Sequence, residues 1–257
     1  MKRISSLTTV AALGFVFVLV RLVSAHDLWL VPARFNVAPG GRVSVVLNTG
    51  DQFPVSEGAV KAERIERATL VTAAGGSTPL TAFRTEGKST LVDVTAPREH
   101  GGAIVEVVLK PVATKQARAS FDEFVKHEGL DAVATMLARA PERLAEERRT
   151  YAKYAKTLLR VGEGTGASAL YRRPLGHRLE IIPDADPFSL KRGEAFPVRL
   201  LFDGKPLVNA RLVIGATDAA TATQSNMPGV RTDAEGRASL RLVDKKGGAH
   251  YIHALHM

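Results

Sequence analysis

The residues with the most chemistry to offer are the seven histidines, because the chain has no cysteine and only four methionines to compete for a metal ion. One of them stands apart. His26 follows Val23-Ser24-Ala25, and His26-Asp27-Leu28-Trp29-Leu30 becomes the start of the chain if a signal peptidase cuts after Ala25. An amino-terminal histidine presents two nitrogens from one residue, the α-amine and the imidazole. With one or two further imidazoles they make a tetragonal nitrogen site of the kind copper(II) and nickel(II) favour. Both nitrogens must be deprotonated to ligate, so binding couples to pH through groups of ordinary pKa about 8 and about 6.5. The competing reading is a histidine that follows a cleavage site by chance.

Three more histidines, His250, His253 and His256, crowd the end of the chain in a stretch that reads as a strand. At roughly 3.3 Å per residue, His250 and His256 share a face about 20 Å apart while His253 faces the other way, so they cannot form one local site. Any of them can still meet His26 across the fold. His256, followed by Met257, is the leading partner, with His253 behind it and Asp27 as an oxygen ligand or the group that orients one. The expected metal residues are therefore His26, His256, Asp27 and His253. His100, His127 and His177 read as turn, helix and loop residues without a ligating pattern. The chain has no HExxH, no GxSxG and no phosphate-binding glycine-lysine loop, so no catalytic residues are assigned and it is not read as an enzyme. Asp184-Ala185-Asp186 has too few oxygens for calcium and reads as a strand end before Pro187.

These residues need a compartment and a scaffold. Lys2 and Arg3 precede an apolar run from Leu7 to Val20 that is too short for a hydrocarbon core of about 30 Å, so residues 1–25 read as a secretory signal peptide and the product as periplasmic or secreted. After cleavage it spans no membrane. Without cysteine it has neither a lipid-attachment thiol nor a disulfide, and packing alone must stabilise it. With 257 residues, 45% hydrophobic and 24% charged, it is globular and long enough for two domains. Its formal charge is +9, of which Lys2, Arg3 and Arg21 leave with the signal peptide, so +6 remains and a nucleic-acid partner is not expected.

The scaffold is read as mainly β, two β-sandwich domains joined by an α-helical insert. Residues 26–112 form the first, with strands such as Arg42-Val43-Ser44-Val45-Val46-Leu47 and Ala103 to Leu109 separated by Pro39-Gly40-Gly41, Gly75-Gly76-Ser77 and Gly101-Gly102. Residues 113–162 form the insert, because the period changes after Pro111. One helix opens at Ser120-Phe121-Asp122 and stops at Gly129. A second runs from Pro141 through Leu144, Tyr151, Tyr154, Ala155, Leu158 and Leu159 to Gly162, with Glu142, Glu146 and Glu147 near its start and Lys153, Lys156 and Arg160 near its end. Residues 163–257 form the second sandwich, with strands at 179–182, 196–202, 210–214 and 238–242 and turns at Asp203-Gly204 and around Gly236. The run from Gly204 to Val213, with Thr232 to Ala238, resembles transthyretin-like modules, and the first sandwich is read as Ig-like.

Taken together, AHDLWLVPARFNVAPGGRVSVVLNTGDQF, RIERATLV, FVKHEGLDAV, YAKYAKTLLRVG, YRRPLGHRLEIIP, PFSLKRGEAFPVRLLFDGKPL, RTDAEGRASLRL and HALHM resemble the domain-of-unknown-function family 4198 throughout. Its members are exported bacterial proteins often described as the periplasmic component of a cobalt or nickel transport system. The resemblance implies a divalent transition-metal cofactor (nickel, cobalt or copper) and a membrane metal-transporter component as partner. It places the family's His-Asp-aromatic start on His26, Asp27 and Trp29 and its His-Met on His256 and Met257. Relatives continue past that His-Met, so the last strand is expected to leave an unpaired edge. Two rival functions stand beside metal binding: a metal-independent β module recognising a protein or polysaccharide, and a copper oxidase built on an amino-terminal histidine brace.

Overall fold

A computed structural model of the chain describes residues 26–140, 142, 145–163, 168–191, 193–216, 229–242 and 248–257. The expected signal peptide, and Pro141 and Leu144 of the expected second helix, lie outside them. Among the described residues no helix is long and apolar enough to cross a membrane. The protein is mainly β, in small sheets whose strands are almost all antiparallel.

The strands follow in the order β1 (Asp27–Pro32), β2 (Asn36–Val37), β3 (Arg42–Gly50), β4 (Gly58–Ala59), β5 (Ile65–Thr72), β6 (Ser77–Pro79), β7 (Phe83–Glu86), β8 (Ser89–Thr95) and β9 (Gly101–Ala117). Two helices, α1 (Arg118–His127) and α2 (Asp131–Ala138), separate β9 from β10 (Glu146–Val161). After the short α3 (Ser168–Tyr171) come β11 (Leu179–Pro183), β12 (Ala195–Phe202), β13 (Lys205–Pro206), β14 (Arg211–Ala216), β15 (Gly229–Arg231), β16 (Arg237–Arg241) and β17 (His250–Ala254).

One sheet runs β1-β3-β8-β7 with β4 beside β3, and a second runs β2-β10-β9-β5-β6. Between them lies one core. Val43, Val45 and Leu47 of β3, Val92 and Val94 of β8, Val105 and Val107 of β9, and Leu159 and Val161 of β10 alternate inward with period two. Leu28 and Leu30 of β1 join them, which turns Asp27 and Trp29 to the opposite face. Further along the chain, β11, β12, β13 and β16 form one sheet and β15, β14 and β17 another. Phe196, Val198, Leu200, Leu212, Ile214 and Leu240 fill the core of these later strands.

The helical insert expected over 113–162 is corrected by this topology. Among the described residues of this stretch only α1 and α2 are helical, whereas 113–117 and 146–161 are the arms of one long hairpin, with β10 paired to β9 from Glu146↔Ala117 to Val161↔Gly101. The period does not change at Pro111 because the strand bulges there. Tyr151 pairs with Val112 but Lys153 with Leu109, and a bulge is where a strand tolerates a residue without an N–H. The apolar residues of β10 imitated a helix face because both faces of the strand are covered. Ala155, Leu159 and Val161 enter the core, while Leu158 packs outward against the cluster of Val71, Ile104, Leu170 and Tyr171. Gly129 ends α1 as expected, with a left-handed φ of 66°.

The outer face of β9 and β10 also carries buried charge. Glu106 meets His177 Nε2 at 2.6 Å, and Lys156 Nζ donates to Glu180 at 2.7 Å. The Glu180 carboxylate also accepts the backbone N–H groups of Leu175, Gly176 and His177, so a single buried anion secures both the strand and the loop that leads to β11.

Candidate metal centre

His26 sits just before β1, and two segments fix what surrounds it. β1 pairs with β3 so that Asp27 stands opposite Gly50, and the chain leaving β3 therefore passes beside His26. That passage is the loop 51–57. It is held by Phe53, which is buried, by the Val55 N–H on the Gln52 carbonyl, and by the Glu57 N–H on the Thr49 carbonyl. Its two carboxylates converge on one imidazole nitrogen, with Asp51 Oδ1 3.1 Å and Glu57 Oε2 3.5 Å from His26 Nδ1. The other Glu57 oxygen, Oε1, accepts the Asp51 N–H at 3.0 Å, which orients that carboxylate.

The close approach depends on Gly50. A Cβ there would lie 2.7 Å from the Val55 carbonyl oxygen and 3.3 Å from Glu57 Cγ. One ligand atom from each of His26, Asp51 and Glu57 falls within 4.8 Å of the others. One imidazole nitrogen and two carboxylate oxygens, about half exposed, fit a divalent transition metal with positions left for further ligands.

Behind His26 lies a drier cluster. The Lys153 ammonium donates to the His26 carbonyl oxygen, and the bulge at Tyr151/Lys153 is the irregularity that aims it. Burial pulls the Lys153 pKa below its usual value. The Asp27 carboxyl is buried, accepts a hydrogen bond from the Tyr251 hydroxyl and lies 3.3 Å from His253 Nε2. Its burial pushes the pKa up to about 7, against the opposing pull of the Tyr251 hydrogen bond and the Lys153 charge. Burial likewise drives His253 down to about 4. Asp27 Oδ2 has no hydrogen-bond partner among the described residues. The pair is therefore a neutral acid beside a neutral imidazole near pH 6, poor as a metal ligand set but well suited to holding the chain.

Of the four residues expected to bind metal, the structure brings Asp27 and His253 together and leaves His26 with different partners. His256 is seated elsewhere. Its ring packs edge-on against Phe202 of β12 with centroids 4.4 Å apart, and Arg178 and Asp203 are its charged neighbours. The oxygen partners that the structure gives His26 are not among the expected residues: Asp51 and Glu57 lie in Gly50-Asp51-Gln52-Phe53-Pro54-Val55-Ser56-Glu57-Gly58, two acids bracketing a turn directly after a strand. Lys153 was missed because its segment was read as helix. Among the other histidines, His100 Nδ1 lies 2.8 Å from the Glu163 carbonyl oxygen and His177 is buried on Glu106.

No functionally curated protein matches the chain. Solved structures show only distant likeness. A DUF4785 family protein from Legionella pneumophila is 9% identical at TM-score 0.30, covering 88% of this chain and 46% of its own. The Yersinia pseudotuberculosis adhesin InvE is 12% identical at TM-score 0.24, covering 89% and 55%. Trypsin-activated α2-macroglobulin from Escherichia coli is 10% identical at TM-score 0.23, covering 86% and 13%. This chain thus spans about half the length of the first two, and likenesses of this extent carry nothing about activity. Sequence is more decisive: residues 23–257 match the family described as Domain of unknown function (DUF4198), and the chain belongs to it.

Proposed function

We propose that the chain is an exported protein that holds a divalent transition metal at its processed amino terminus. The observation that carries this reading is the convergence of Asp51 and Glu57 on Nδ1 of His26. Cleavage after Ala25 frees the α-amine of His26, and the amine with Nδ1 closes a six-membered chelate ring around a metal ion. Nδ1 is the nitrogen that faces the two carboxylates. Their two negative charges offset a divalent cation, and two nitrogens with two oxygens suit copper(II), nickel(II) or cobalt(II). His256 is not needed in this scheme, and Asp27 and His253 support His26 from behind.

The wider role follows from the family resemblance. In it the protein works in the periplasm beside a membrane metal transporter, and its strands form two sandwiches, Ig-like and transthyretin-like. The metal-independent module is the second reading, favoured by the contacts that the Asp51 and Glu57 carboxylates themselves make to the His26 imidazole.

Calorimetric titration of copper(II), nickel(II) and cobalt(II) into protein beginning at His26 tests the proposal, beside the same protein carrying one extra residue before His26. The expected result is micromolar or tighter binding, about −8 kcal/mol or better, that the extra residue weakens at least tenfold and that Asp51→Asn with Glu57→Gln abolishes. Absence of binding, or binding indifferent to both changes, overturns it.

A further inference from the structure

The candidate centre is assembled from two segments, the His26-Asp27 start and the loop 51–57, and one side chain touches both. Tyr251 of β17 donates its hydroxyl to Asp27, the residue directly after His26. Its ring stacks on Phe53, inside the loop that carries Asp51 and Glu57, with centroids 5.3 Å apart and planes 13° from parallel. The same ring meets Trp29 of β1 edge-on at 5.4 Å, and Trp29 meets Phe53 at 5.6 Å, so the three aromatics form a closed, buried triangle.

The consequence for His26 is geometric. Its carbonyl is held by Lys153 and the next side chain by Tyr251 and His253, which leaves the imidazole only its own torsions and those before it. The carboxylates it faces are fixed by a loop whose one buried aromatic rests on Tyr251. Strand β17 therefore sets both the origin of the histidine and the position of its acidic partners.

We propose that Tyr251 is the positioning residue of the candidate centre, its hydroxyl fixing His26 through Asp27 and its ring fixing Asp51 and Glu57 through Phe53. The consequence for metal affinity rests on the metal-binding reading above; the positioning itself does not. It is a supporting contact of the kind whose loss weakens a metal site by about ten- to a hundredfold.

Tyr251→Phe keeps the ring and removes the hydroxyl, and Asp27→Asn changes the group that receives it. In metal-free protein, the imidazole resonances of His26 are expected to shift and sharpen in both variants, and the double variant to add little to either. With copper(II) as the probe, affinity falls about tenfold in Tyr251→Phe and the copper electron paramagnetic resonance parameters change, which a general loss of stability does not produce. His26 resonances, copper affinity and spectrum all unchanged in a folded Tyr251→Phe protein overturn the proposal. Shifted His26 resonances in a protein that binds no copper uphold the positioning and overturn the metal reading instead.

Discussion

Replacing either member of the Asp27–His253 pair tilts the dependence of stability on pH, and the two replacements tilt it in opposite directions. Asp27 titrates near 7 in the folded protein against an ordinary 3.8, so between about pH 4 and 7 the unfolded chain has released a proton that the folded one keeps. Its contribution is full below the ordinary value and is lost as pH rises through 7. His253 titrates near 4 against an ordinary 6.5, so over nearly the same window the unfolded chain holds a proton that the folded one has lost. Its contribution is full above 6.5 and is lost as pH falls.

Folding thus moves a proton from an imidazolium to a carboxylate, and the two slopes, each about 1.4 kcal/mol per pH unit, cancel in the parent. Burial is the main cause of both shifts, so each survives removal of the other residue. In Asp27→Asn the His253 slope stands alone and stability falls as pH is lowered; in His253→Gln the Asp27 slope stands alone and stability falls as pH is raised. Over the two units from about pH 4.5 to about 6.5 each variant departs from the parent by about 3 kcal/mol, in opposite senses. Urea unfolding at several pH values across this window, with each variant referred to the parent, measures the departures. Variant curves that run parallel to the parent refute the buried, neutral pair.

Glu180→Gln leaves the buried Lys156 ammonium without its anion and turns an amide toward backbone donors. The expected loss is about 3–5 kcal/mol, visible as a melting temperature lower by about 10 °C or more. Gly50→Ala presses a methyl group against the Val55 carbonyl and Glu57, so copper(II) binding weakens while the sheet persists; Gly58→Ala, whose nearest neighbour would be Thr49 Oγ1 at 4.0 Å, leaves binding unchanged. Calorimetry on the two variants side by side checks the contrast.

Alternating or β-branched runs bounded by turn residues made β3, β9, β12 and β14 readable in the sequence, because such residues fill a covered sheet face. The same signal failed on β10. There Tyr154, Leu158 and Arg160 are covered by the α3 segment and the loop before β11, so apolar residues fall on both faces and the spacing fits a helix as well as a strand. The lysines that looked like charges complementing a helix dipole are instead spent on specific acceptors, Lys153 on a carbonyl and Lys156 on Glu180. His26 was legible from the cleavage pattern alone. Asp51 and Glu57 were not, since only the β1–β3 pairing carries their loop to it, and His256 was misplaced because nothing in its spacing reveals the Phe202 ring.

The pairing of Asp27 with Tyr251 and His253 also bears on the order in which the molecule is made. A chain synthesised from its amino terminus presents β1 and the loop 51–57 long before β17 exists. The β1–β3 pair closes through a short connection and can form early, whereas the contacts that seat His26 must wait for a closure spanning nearly all the described residues, and closures of that span form slowly. Through that interval Asp27 and Phe53 stay hydrated and the histidine swings freely. On the metal-binding reading, an ion that reaches the cleaved terminus before β17 docks finds loose donors, and full retention begins once β17 is in place.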